Sequence, residues 1–138
     1  MRTFAASFNW VKANLKLCIA GAVALLIICI CVTGYAYYSN RQDDKAEYLL
    51  SQGIRSFAEY SASGSEEALK KAEDAFNKTV SEKRKKTAVI AKLYLGKIYV
   101  AKGKTEEAKK MYKEAQSESG DPTIKMLSEK ALNYLDKK

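Results

Sequence analysis

Histidine is absent from all 138 residues, proline occurs once, and the three cysteines (Cys18, Cys29, Cys31) sit in or beside one apolar stretch. A histidine-based triad, a zinc site and a thiol nucleophile are therefore excluded from the chain beyond Cys31. The same lack of cysteine means that no disulfide staples that part. A glycine-rich phosphate loop is missing as well, since Gly103-Lys104 lacks the surrounding motif. Carboxylates are missing from the first 42 residues. Strand signals are absent too: no stretch alternates for long, and Pro122 is the single proline. The paired acids Glu66/Glu67 and Glu106/Glu107 read as helix-start charges, which the helix dipole favours, rather than as catalytic carboxylates. We expect no enzyme, with no catalytic residue, no metal and no cofactor.

The longest uncharged run is what the chain does have. Residues 17–38 carry no charge and no proline, and as a helix these 22 residues reach about 33 Å, enough to cross a hydrocarbon core of about 30 Å. Helix is the natural state there, because lipid offers the backbone no other partner. A buried core helix is too short an element to need so long an apolar run. A cleaved signal with its cut after Ala36 is the rival reading, but the apolar region and its basic leader exceed the usual lengths. Ile28 and Ile30 precede Cys29 and Cys31 where a lipoprotein signal needs a small residue. The three cysteines then behave as small hydrophobes.

The charge distribution sets an expected orientation. Residues 1–38 hold Arg2, Lys12 and Lys16 and no acid, out of a total net charge of +8. The basic leader, 1–16, favours the cytoplasmic side, so the expected topology is a single-pass inner-membrane protein with an extracytoplasmic C-terminal domain. Phe8 and Trp10 at one end and Tyr35, Tyr37 and Tyr38 at the other suit the two interfacial belts. In the leader, Phe4, Phe8 and Val11 share one helical face, which predicts a short interfacial helix.

Residues 39–138 carry 21 basic and 16 acidic residues, a mildly basic domain without the aromatic-interleaved stripe of a nucleic-acid binder. The pattern predicts helices near 43–60, 65–83, 87–102, 105–117 and 122–136. The predicted apolar face of the first is Tyr48, Leu49, Ile54, Phe57 and Tyr60; no strong breaker separates it from the apolar run. Ser65 caps the second, whose face is Ala68, Leu69, Ala72, Ala75, Phe76 and Val80. The third has Ile90, Leu93, Tyr94, Leu95, Ile98 and Val100 as its stripe and ends at Gly103, a left-handed residue. Thr105 is the predicted cap of the fourth, with Ala108, Met111, Tyr112 and Ala115 inside. Asp121-Pro122 opens the last as cap and first residue, with Ile124, Leu127, Ala131, Tyr134 and Leu135 inward. The fold class is all-α.

Two segments echo each other. Gly64-Ser-Glu-Glu-Ala-Leu-Lys-Lys-Ala parallels Gly103-Lys-Thr-Glu-Glu-Ala-Lys-Lys-Met. That alignment matches Ala68 to Ala108, Ala72 to Tyr112 and Ala75 to Ala115, with Tyr60 and Tyr99 each four residues before their glycine. This resembles the tetratricopeptide repeat. In the second copy Leu95-Gly96, Tyr99, Ala108, Tyr112 and Ala115 stand at the family's spacing, while Lys92 replaces its tryptophan and Gly120 its closing proline. In the first copy Phe57 falls where the small residue belongs. The layout of basic leader, one span, the exit Asp44-Lys-Ala-Glu-Tyr48 and degenerate repeats further resembles the bacterial ancillary Sec translocon subunit family. That resemblance implies an inner-membrane protein whose partners are the Sec channel and periplasmic chaperones.

The resemblance implies a protein-binding groove lined by Ile90, Leu93, Lys97 and Val100. A carboxylate clamp is not expected, because Leu93 departs from its lysine and asparagine pattern, and an apolar groove for a partner helix or extended segment is. These residues also suit a plain core stripe. The densest charge, Lys83-Arg84-Lys85-Lys86, reads either as a solvated helix end, with cations at the carbonyl pole, or as a contact for anionic lipid or an acidic partner. Two repeats are fewer than such arrays usually need, so the open end beside Tyr48 and Phe57 is expected to be covered by a second copy or a partner. The expected function is a membrane-anchored adaptor that binds other proteins and contacts the bilayer through residues 17–38. The alternative is a small accessory subunit whose span makes the main contacts.

Overall fold

The computed structural model describes residues 15–137, with side chains from residue 19 onward. The leader, including Phe4, Phe8, Trp10 and Val11 and the helix expected there, lies outside the described residues, as does the side chain of Cys18. Among the described residues all regular structure is helical: α1 (Leu15–Ser63), α2 (Glu66–Ser81), α3 (Lys85–Ala101), α4 (Thr105–Glu118) and α5 (Pro122–Asp136). The chain forms two compact units, one ending at Asn40 and one starting at Arg41.

The first unit holds the N-terminal part of α1. This helix is long and apolar enough to cross a membrane. Every side chain from Ile19 to Tyr38 is exposed. The Thr33 hydroxyl donates back to the Cys29 carbonyl at 2.8 Å, so this polar group is satisfied within the helix itself. The helix predicted near 43–60 is not a separate element but the C-terminal part of α1. Nothing between Gly34 and Gly53 breaks it: that stretch contains neither glycine nor proline.

In the second unit, α1 turns Ala46, Leu50, Gly53 and Ser56 into the core. Tyr48, expected inside, is 68% exposed, and Ile54 also faces out. The reason is packing distance. Selecting the largest apolar side chains picks Tyr48 and Ile54, whereas the helix approaches its neighbour along its small residues. A Cβ on Gly53 would stand 2.6 Å from the ring of Phe76 on α2. The same arrangement recurs in the next hairpin, where a Cβ on Gly96 of α3 would stand 2.6 Å from the ring of Tyr112 on α4.

This pair of contacts corrects the repeat register. Aligning Gly53 with Gly96 and Phe76 with Tyr112 matches Ala72 to Ala108 and Thr79 to Ala115, and all four of these matched small residues are fully buried. The loop-based alignment is therefore one helical turn out in the core, and Gly53, not Phe57, is the small residue of the first copy. Its cause is length at the hairpin tip. Gly53 lies eleven residues before Gly64, whereas Gly96 lies seven before Gly103. The first hairpin is about a turn taller, and the tips align while the cores do not.

Two clusters of side chains hold the unit together. Leu50, Leu69, Ala72, Phe76, Ala91, Leu95 and Ile98 join α1, α2 and α3. Ala108, Tyr112 and Leu135, with Leu93, Ala131 and Leu132 packed against them, join α3, α4 and α5. On α5, Leu127 and Tyr134 are exposed although the periodicity places them inside, and Ser128 is fully buried instead. Only the narrow face that meets α4 and Leu93 of α3 is covered, so a wide apolar stripe is not needed.

The caps follow local chemistry. Ser65 Oγ accepts from the Ala68 amide at 3.3 Å, and Asp121 Oδ1 accepts from the Thr123 amide at 2.7 Å. Gly103 adopts φ 73°, the left-handed state that ends α3. Thr105 is not the cap of α4: Lys104 occupies that position, without a side-chain cap bond, and Thr105 is already helical. The tight turn explains this, because the Lys104 amide is drawn back onto the Tyr99 carbonyl at 2.8 Å.

Candidate functional site

The repeat helices α1 and α3, with α5, line two adjoining clefts of about 490 and 360 Å³ that share Lys97. Their floor is aromatic. Phe57 meets Tyr94 edge-on at 5.6 Å between ring centres and 73°, and Tyr94 stacks on buried Phe76 at 5.0 Å and 13°. Pairs of this kind add about 0.5–1.5 kcal/mol beyond their buried area, so the floor is rigid. Lys97 Nζ stands 5.1 Å over the Tyr94 ring. Lys130, Val100 and Tyr134 continue the surface onto the second cleft. Neither cleft has a carboxylate among its lining residues. The combined surface is aromatic and apolar with two cations, suited to an apolar segment bearing negative charge.

The four groove residues read from the sequence divide between surroundings. Lys97 and Val100 line the clefts, Val100 being 39% exposed rather than buried in the stripe. Leu93 packs into the cluster of Ala108, Tyr112 and Leu135 that α5 completes. Ile90 is half-buried and lines a separate cleft of about 650 Å³ with Lys85, Lys86, Pro122 and Ile124. The stripe is continuous along α3, but α5 shares in its centre. Phe57, Tyr94, Lys130 and Tyr134 are among the cleft residues outside the groove read from the sequence. For Tyr94 and Phe57 the signal was the i, i+3 step from Tyr94 to Lys97 and the matching step from Ile54 to Phe57.

Lys92, which stands where the repeat family has tryptophan, is 7% exposed. Its Nζ reaches Glu114 at 2.8 Å and Glu118 at 2.6 Å on α4. Burial works against the charge, but the hydrogen bonds and charges of the two carboxylates outweigh it and hold the pKa of Lys92 above the ordinary lysine value. The position is thus a structural ion pair between α3 and α4. Burial likewise raises the pKa of the Tyr112 hydroxyl.

The basic run does not close a helix as the sequence reading has it. Lys83 alone follows α2, in the left-handed region at φ 56°, while Arg84 is the N-cap of α3 and Lys85 and Lys86 form its first turn. Arg84 Nη2 donates to Gln42 Oε1 at 2.8 Å and its Nε pairs with Asp43 at 3.2 Å, so this residue clamps the loop onto α1. Lys45 meets Glu82 at 2.6 Å beside it.

Two hairpins whose facing helices touch through a glycine and an aromatic ring, stacked with a further helix, form the unit of a helical solenoid. A family model for the tetratricopeptide repeat-like domain matches residues 9–135. The chain belongs to that family. Searches of curated proteins and of solved structures return no match. Tetratricopeptide-like solenoids present concave surfaces to other proteins.

Proposed function

We propose that this protein is a membrane-anchored adaptor. Residues 17–38 hold it in the bilayer, with the N-terminus cytoplasmic, and the tetratricopeptide-like domain binds other proteins through the clefts that meet at Lys97. The observation that carries the binding role is that aromatic floor, with Lys97 and Lys130 on it and no carboxylate in its lining. A partner segment with apolar side chains and acidic residues complements it, as an amphipathic helix or extended stretch. The anchor is supported by the exposed, uncharged face of α1. The resemblance to the ancillary translocon subunit family makes the Sec channel and extracytoplasmic chaperones the first partners to test.

Photocrosslinking in native membranes tests this reading. A crosslinker at Lys97 or Tyr134 is expected to trap a partner protein, and Lys97→Glu in the presence of the Tyr134 probe is expected to abolish the product. Crosslinks from Gly21 alone would instead identify an accessory subunit that works through its span. Release of the full chain into the soluble fraction by alkaline carbonate would end the anchoring proposal.

A further inference from the structure

We infer that the loop Lys83–Lys86 is a docking surface for anionic phospholipid headgroups. The inference rests on the anchoring proposed above.

The loop's place is fixed by Arg84, which is bonded to Gln42 and Asp43. Gln42 lies four residues beyond Tyr38, the end of the uncharged run, and even a fully extended chain spans no more than about 14 Å over that interval. The bound follows from chain length alone. It limits the distance between the exit of the anchor and a charge cluster more than forty residues away in sequence.

Among the described residues the three lysines of the loop lack an ion-pair partner, although Lys85 and Lys86 also line the cleft of Ile90. Lys83, Lys85 and Lys86 are exposed and form no ion pair among the described residues. Of the neighbouring acids, Asp43 is paired with Arg84, Glu82 with Lys45 and Glu118 with Lys92, while Asp121 caps α5 through the Thr123 amide. Lys85 and Lys86 also sit in the first turn of α3, which contains no acid, where the helix dipole disfavours positive charge. Their own helix gains nothing from them. A surface of phosphates placed against the loop relieves this repulsion and supplies the missing counter-charge. Near an anionic bilayer each such lysine favours contact about five-fold, so the three together give about a hundred-fold. An acidic protein partner offers the same charge but not the fixed proximity that the tether enforces.

The test uses the full-length protein in lipid nanodiscs, either zwitterionic or with about one-third phosphatidylglycerol, and reads amine-reactive labelling of each lysine by mass spectrometry. Lys104, at the far end of the 17-residue α3 and about 25 Å away, is the internal reference. Labelling of Lys83, Lys85 and Lys86 is expected to fall about five-fold or more in the anionic discs and to recover at high salt, with Lys104 unchanged. Arg84→Gln is expected to weaken the protection by releasing the clamp while leaving the helical spectrum intact. Equal labelling in both discs would overturn the inference, and so would protection in detergent as strong as that in the anionic discs, the result of a protein contact. Failure to enter either disc would overturn the anchoring itself, whereas entry without differential protection would refute only the lipid contact.

Discussion

The two hairpins of the domain solve one packing problem with different residues. In the first, Gly53 receives Phe76, a ring with no exposed surface on which Tyr94 stacks. In the second, Gly96 receives Tyr112, whose ring also borders the cleft next to Lys97 and Val100. One turn before the glycine, Leu49 of the first hairpin corresponds to Lys92 of the second. The first hairpin has an apolar residue where the second has a buried ion pair, and its own ion pair, Lys45–Glu82, lies at the end of α2. The second mixes an aromatic contact with a buried ion pair and puts part of its core at the binding surface. The difference shows that a repeat is defined by where helices touch, since side chains at the contact vary while the glycine and the ring do not.

Truncating the rings should separate the hairpins most clearly. Phe76→Ala is expected to cost about 3–5 kcal/mol, the range for a large aromatic lost from a close-packed core. Tyr112→Ala should cost less, because its site opens onto a cleft that water can enter. Denaturant unfolding of the full chain in detergent, followed by circular dichroism, measures both. Equal losses would remove the asymmetry.

Filling the glycines comes next. Gly53→Ala forces a methyl to within 2.6 Å of Phe76. Overpacking of about 1–3 kcal/mol, offset by about 1 kcal/mol of helix propensity, leaves a net loss of up to about 2 kcal/mol. Gly96→Ala should lose less, as Tyr112 has room to move. Pairing Gly53→Ala with Phe76→Leu should recover part of the loss, and a Phe57→Ala background should not. Rescue through Phe57 would restore the loop-based register in place of the one described.

The smallest effect belongs to the ion pair. Lys92→Leu imports the residue of the first hairpin and leaves two carboxylates that still reach water, so the change should lie within about 1 kcal/mol of neutral. Its signature is in pH. Because the folded pKa of Lys92 is raised, its stabilisation is fully present below the unfolded value of about 10.4 and is lost as pH rises through the folded value. Tyr112, also raised, pulls the same way, since the unfolded phenol ionises first. Thermal melts from neutral to strongly alkaline pH should therefore fall less steeply in Lys92→Leu than in the native chain.

Much of the architecture was legible because local chemistry decides it. Apolar periodicity marks helices, Ser65 and Asp121-Pro122 cap them, and Gly103 ends one, each through its own backbone preference. The face of α1 was legible only in part: Phe57 and Tyr60 pack against the core, but the closest contact runs through Ala46, Gly53 and Ser56, which carry almost no hydrophobic signal. The register of the first repeat was hidden by matching tips on hairpins of unequal height. Burial of Lys92 was hidden as well, for it depends on Glu114 and Glu118, which reach it only once α4 is docked. Of the groove residues, Lys97 and Val100 line the cleft, but Leu93 does not stand open, because α5 folds back onto the same cluster.

The extra turn at the tip of the first hairpin adds chain without altering the glycine-to-ring seam below it. The bend around Gly64 is thus a site where length is free to change, and a short insertion such as an epitope or a fluorophore sequence should be carried there without loosening the bundle beneath.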